Sequence, residues 1–95
     1  MKTETKPTPP QKFYIYSISH SPANGCALWW RPLCKGYTTD LNCAGVYTAE
    51  YVHANPDYYD NGVSTAAIPC ELADAKAETQ RTVPNLDALA VAKSI

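Results

Sequence analysis

The feature that most constrains the fold is the placement of the aromatic residues. All ten lie between Phe13 and Tyr59, and this segment carries only five charged side chains. Aromatic side chains bury large apolar areas and dominate small cores, so we expect the core to form here. A chain of 95 residues makes one domain at most and buries about 60–65% of its unfolded surface.

The segments on either side of the aromatic region differ in composition. Residues 1–12 contain three prolines among Lys, Thr and Glu, which predicts a flexible arm. Residues 13–70 are predicted to form a single α+β domain. Residues 71–95 are helical in composition with a thin apolar face, so we expect a helical tail that either docks weakly on the domain or awaits a partner.

Three segments have the pattern of β-strands. Residues 13–19 place β-branched and aromatic residues on both alternating faces, which predicts a central strand covered on both sides. Residues 26–31 resume this pattern after a Pro and an Asn-Gly pair, which predicts an antiparallel hairpin with the first strand. Residues 63–68 are predicted to form a third strand. The predicted fold class is therefore α+β, with a small antiparallel sheet and short helices.

Short helices are predicted from capping residues. Thr38 or Thr39 is expected to cap a turn in which Leu41 points inward, and Thr48 to cap a helix over residues 49–54 that Pro56 closes. In the tail we predict helices over 71–81 and 86–93. The second of these is expected to place three apolar residues on one face, namely Leu86, Leu89 and Ala90.

Charge and hydropathy narrow the classes of partner. The net charge is −1 and no basic cluster is present, which makes a nucleic-acid partner or an anionic membrane surface unfavourable. No apolar run of about 18 residues is available to span a bilayer. The first residues lack the apolar stretch of a signal peptide, so a cytoplasmic location in the producing cell is predicted. Thiols stay reduced there, and the four cysteines are interpreted as free.

No motif in the chain predicts catalysis, a cofactor or a metal. The cysteines at 26, 34, 43 and 70 lack the close pairs from which zinc sites are built, and Cys26 and Cys43 are interpreted as small buried apolar residues. His20 lies between two serines, but neighbours in an extended chain point to opposite faces. We therefore predict a protein that is not an enzyme. Finding His20 or His53 beside a Ser, Cys or carboxylate in a cleft would favour one.

The block from Trp29 to Thr48 carries a resemblance. Its pattern is Trp-Trp-Arg-Pro at 29–32, Gly-Tyr-Thr at 36–38, Leu41, Ala-Gly at 44–45 and Tyr-Thr at 47–48. This pattern resembles small uncharacterised proteins of bacteriophages and prophages, and the resemblance covers about half of the chain. It implies a phage accessory protein that binds and inhibits or modulates a host protein, including components of antiviral defence such as a CRISPR complex.

The predicted partner-binding surface is based on the two adjacent tryptophans, Trp29 and Trp30. Neighbouring strand residues point to opposite faces, so if the sheet is covered on one face only, one tryptophan is exposed beside Arg31. Trp and Arg are enriched in interface hot spots. The predicted partner-binding surface therefore comprises four residues, namely Trp29, Arg31, Tyr37 and Tyr58.

Two alternatives to this surface stay open. The first is a small-molecule or nucleotide-binding domain, with an aromatic pocket between the hairpin and the Gly36 turn. The second concerns assembly: a short sheet with an open edge can pair with a second copy, which would give a homodimer.

Overall fold

A computed structural model of the chain describes residues 11–78 and 81–94. Within them, five strands form one antiparallel sheet, and four helices follow or connect the strands. The strands are β1 (Lys12–Ser17), β2 (Leu28–Trp30), β3 (Tyr37–Thr38), β4 (Tyr47–Thr48) and β5 (Thr65–Pro69); the helices are α1 (Ala49–Ala54), α2 (Pro56–Tyr59), α3 (Cys70–Lys76) and α4 (Asn85–Ser94). The predicted α+β class is confirmed. Of the predicted arm, residues 1–10 lie outside the described residues.

β1 is the centre of the sheet. One of its edges pairs with β5 along its length, and its other edge pairs with β4 near its start and with β2 near its end. β3 adds to the outer edge of β2. Five of the six residues of β1 are buried, so the prediction of a central strand covered on both sides is confirmed. The predicted hairpin is confirmed as well, with Tyr16 opposite Trp29.

Helices cover both faces of the sheet, which makes three layers. On one face Tyr14, Tyr16 and Trp29 pack with buried residues from α3 and α4. On the opposite face Phe13, Ile15 and Trp30 pack with residues from β4, α1 and α2. The helices contribute Val52 from α1 and Tyr59 from α2 to this second core, and β4 contributes Tyr47. The alternation of side chains along β1 and β2 therefore supplies two cores instead of one.

The C-terminal segment is integrated with the first core. The backbone N–H of Ala27 donates to the carbonyl of Val83 at 2.8 Å. Tyr16 donates its hydroxyl hydrogen to the side-chain oxygen of Asn85, and both residues are buried. In α4 the buried residues are Asn85, Ala88 and Val91. The predicted apolar face was wrong for two of its three residues, because Leu86 and Ala90 are exposed, whereas Leu89 packs partly buried against the first core. The buried apolar residues of this helix are the smaller Ala88 and Val91.

Side-chain caps begin two of the short helical segments, with two corrections to the predictions. Thr48 caps α1 as predicted, because its hydroxyl accepts from the N–H of Tyr51 at 3.4 Å. The turn at Leu41–Cys43 is capped by Asp40, which accepts from the N–H of Asn42 at 2.8 Å, and not by Thr38 or Thr39. Leu41 is buried as predicted. Pro56 does more than end α1, since it is also the first residue of α2.

The outer edge of β5 is occupied by the turn that precedes it. Asp60 accepts from the backbone N–H of Ala67 at 3.0 Å, and Asn61 accepts from that of Thr65 at 3.2 Å. The N–H of Gly62 donates to the carbonyl of Thr65. Side chains that bind the edge groups block further strand pairing. This edge is therefore not open for pairing with a second copy.

Three partly or fully buried tyrosines make the fold sensitive to high pH. Burial raises the pKa values of Tyr14, Tyr16 and Tyr47 to about 12 each. In the unfolded chain a tyrosine titrates near about 10, so the unfolded state loses these protons first as the pH rises. We expect full stability below about pH 10 and a progressive loss up to about pH 12.

Urea unfolding at a series of alkaline pH values tests this expectation. The Tyr16→Phe variant is the matched control, because it removes one of the three hydroxyls and should show a shallower decline with pH. An unfolding free energy that stays constant across this range would contradict the burial of the three hydroxyls.

Candidate functional site

Both tryptophans are core residues. Trp29 has an exposed fraction of 0% and Trp30 one of 8%. The prediction that Trp29 is an exposed contact residue was wrong, because it assumed a sheet covered on one face only. Trp29 packs against Tyr14 and Tyr16 on the face that α3 and α4 cover. It has no surface to offer a partner, and Arg31 cannot share an exposed site with it.

Trp30 is the buried base of an aromatic cluster that reaches the surface. Its ring lies edge-on to Tyr58, with 5.1 Å between ring centroids, and it also packs against Tyr47 and Tyr59. Tyr58 is 56% exposed. The indole N–H of Trp30 is buried, and no described residue accepts a hydrogen bond from it. The cluster thus links the second core to solvent through Tyr58.

Two shallow cavities adjoin this cluster. The larger has a volume of about 180 Å³ and the smaller one of about 120 Å³. Trp30, Tyr37 and Tyr58 line both of them. Tyr37 is 43% exposed and comes from β3, whereas Tyr58 comes from α2. The structure therefore brings together two of the four predicted contact residues, Tyr37 and Tyr58. They line the same cavities as Trp30, which was not among the predicted contact residues.

A histidine and a serine meet at the larger cavity. The Nδ1 atom of His20 lies 3.0 Å from the hydroxyl of Ser17 and 3.3 Å from that of Ser19. The His20 ring stacks on Tyr37, with 4.8 Å between centroids and 29° between planes. Sequence reasoning missed this contact because it treated residues 17–20 as extended, whereas the chain turns after Ser17.

His20 thus lies beside a serine in a cleft, which is the contact that would favour an enzyme. The Ser17 and His20 pair nevertheless meets only part of what acyl transfer requires. A nucleophilic serine needs a base that a third group orients. Among the described residues no carboxylate hydrogen-bonds to His20, and Ser17 is buried. The pair instead belongs to a network that holds the loop: Ser21 donates to the carbonyl of Ser17 and accepts from the N–H of Leu28.

A strained loop exposes the large apolar side chain of Leu33, and the next residue of the loop, Cys34, lines the smaller cavity. Leu33 and Cys34 both have φ of 59°, a left-handed conformation that costs roughly 1–2 kcal/mol for a residue with a side chain. The hydroxyl of Tyr47 holds this loop, since it donates to the carbonyl of Arg31 at 2.7 Å and accepts from the N–H of Cys34 at 3.1 Å. Leu33 is 78% exposed. Strain that is retained at an exposed apolar residue is typical of functional sites.

Arg31 and the cysteines lie outside the cavity linings, except for Cys34. Arg31 is exposed and lines neither cavity. Cys34 lines the smaller cavity and is exposed. Cys43 is exposed too, so its interpretation as a buried apolar residue was wrong; it follows Asn42 at the end of a surface turn.

Within residues 11–78 and 81–94, no three His, Cys, Asp or Glu side chains lie close enough together to hold a metal ion.

Comparisons with known proteins do not assign the chain. No protein-family model matches it, and neither a curated protein nor a solved structure matches it. Among the helices of the described residues, none has the length and apolar character needed to cross a bilayer. Function must therefore be argued from the cavities and the residues around them.

Proposed function

We propose that this chain is a non-enzymatic binding protein that docks a partner protein on the surface formed by Leu33, Tyr37 and Tyr58 above Trp30. One observation carries this proposal. Tyr37 and Tyr58 are exposed and line both cavities, and the two cavities share the buried Trp30 as a lining residue. Interface hot spots have this composition, with aromatic side chains arranged around a well-packed centre.

The size of the cavities favours a protein side chain over a free ligand. Pockets for drug-sized molecules occupy about 300–1,000 Å³, whereas the larger cavity here has about 180 Å³. This volume suits a single side chain from a partner. A nucleotide would extend well beyond it, so the alternative of a nucleotide pocket has less support than a protein interface.

The proposed partner is a host protein of an infected bacterium. The resemblance of the block at residues 29–48 to phage and prophage proteins supports this part of the proposal. Inhibition or modulation of an antiviral defence component, such as a CRISPR complex, is the form of activity that we propose. Arg31 remains a proposed contact at the rim, because its side chain is exposed and adjoins the turn at Gly36.

Affinity capture from a bacterial lysate tests the surface. The wild-type chain is expected to retain a specific protein, and the double variant Tyr37→Ala, Tyr58→Ala is expected to lose it. Leu86→Ala is the matched control, because Leu86 is an exposed apolar residue of α4 that lines neither cavity. Circular dichroism must show that all three chains are folded. Equal capture by the double variant would contradict the assignment of the surface.

A further inference from the structure

We propose that the larger cavity receives a positively charged side chain, an arginine or a lysine, from the partner. This inference rests on the proposed function, since it names the chemistry of what the partner presents. Four aromatic residues line the cavity, and the acidic residue Asp57 lines it with them. Together these are the groups that recognise a desolvated cation.

The aromatic walls supply the first part of the argument. His20 and Tyr37 form one stacked pair in the lining, with 4.8 Å between their centroids. Tyr58 and Trp30 form a second, edge-on pair, with a centroid separation of 5.1 Å. The face of a tyrosine or tryptophan ring attracts a cation within about 6 Å of its centre. A planar guanidinium also stacks on such faces.

Charge supplies the second part. Asp57 is the single carboxylate among the residues that line the two cavities, and none of these lining residues is a lysine or an arginine. Asp57 is exposed, and its carboxylate has no ion pair or hydrogen bond with another described residue. An entering cation would therefore meet an acid that no described residue neutralises, and no like charge from these lining residues. An acidic side chain from a partner would be repelled by Asp57 and would find no lysine or arginine among the lining residues.

Three further polar residues line the larger cavity, and their oxygens bind groups of their own turn. Asn61, Ser64 and Thr65 line it beside Asp57. Their oxygens are already used within the turn, since Asn61 accepts from the N–H groups of Val63 and Ser64 at 2.7 Å each. The turn that follows Asp57 is therefore held in place, and Asp57 is the charged acceptor that the lining offers an incoming donor.

Nuclear magnetic resonance titration of the full chain tests the inference without a partner. The probe is N-acetyl-arginine amide, and the controls are the corresponding norleucine and glutamate amides. We expect saturable shifts of the Trp30 indole and the Tyr37 and Tyr58 amides with a millimolar dissociation constant. The amide of Leu86 and the Trp29 indole are expected to stay unchanged.

The Asp57→Asn variant separates the charge from the shape of the cavity. Binding of the arginine probe should weaken at least about fivefold, as expected for a lost charge-assisted hydrogen bond. Because Asp57 also lies in the first turn of α2, urea unfolding of the variant checks that the fold is retained. An absence of shifts, equal shifts with the norleucine or glutamate amide, or undiminished binding by a folded Asp57→Asn chain would each overturn the inference.

The two experiments distinguish a failure of the cation inference from a failure of the proposed docking surface. If the arginine probe does not bind but the double variant Tyr37→Ala, Tyr58→Ala still loses the captured partner, the cation inference alone is wrong. If the probe binds and depends on Asp57 while the double variant retains the partner, the cavity recognises a cation but the docking surface lies elsewhere.

Discussion

The Trp29→Ala variant is expected to lose about 3–5 kcal/mol of unfolding free energy, the usual effect of truncating a buried tryptophan. Trp29 has no exposed surface and packs against Tyr14 and Tyr16. A small domain has a total stability of about 5–15 kcal/mol, so this loss is a large part of the whole. The cavity left behind would adjoin α4, which further weakens the docking of that helix.

Urea unfolding followed by circular dichroism measures this effect. The conservative Trp29→Phe variant should lose less, because it keeps an aromatic ring in the same space. Leu86→Ala, at an exposed position, should stay within about 0.5 kcal/mol of the wild type. A Trp29→Ala chain with the wild-type urea midpoint would contradict the burial of this residue. It would also restore Trp29 as a candidate contact residue.

Two substitutions in α4 provide the second large effect. Ala88 is 1% exposed and packs in the same core as Trp29, whereas Ala90 lies on the exposed side of the same helix. Ala88→Arg forces a long charged side chain into this core. We expect a loss of about 3 kcal/mol or more, because the charge has no partner there and the core has no space for the side chain. Ala90→Arg should be nearly neutral.

The comparison isolates burial, since the two variants make the same chemical change in one helix. Helix propensity and net charge therefore change equally in both. Thermal or urea unfolding gives the difference directly. Similar stabilities for the two variants would show that α4 does not pack on the sheet as described, and the C-terminal segment would then be the loosely docked tail that its composition suggests.

Much of the fold could be predicted from local patterns. The apolar residues on both faces of residues 13–19 predicted a central strand, and Thr48 predicted the start of α1, because both signals lie within a few residues. The burial of Trp29 could not be predicted in this way. It depends on α3 and α4, which cover its face of the sheet with Ala73, Ala88 and Val91. Because these side chains are small, the C-terminal segment shows only a thin apolar face in its sequence.

The candidate site was only partly predictable for a similar reason. Tyr37 and Tyr58 were predicted as contact residues because the chain has more aromatic residues than so small a core can hide. The larger cavity also needs His20, Trp30 and Asp57, which come from three other positions along the chain. Their proximity follows from the tertiary fold and has no local signal. The exposed Leu33 was missed because its left-handed backbone is not expected for leucine.

Calorimetric titration of the identified partner with three forms of the chain tests the central claim most directly. The claim is that binding occurs at the surface of Leu33, Tyr37 and Tyr58 above Trp30. We predict that the double variant Tyr37→Ala, Tyr58→Ala binds at least about 30-fold more weakly than the wild type, as expected when hot-spot aromatics are removed. Leu86→Ala should bind within about twofold of the wild type. A folded double variant that binds the partner as tightly as the wild type would contradict the account.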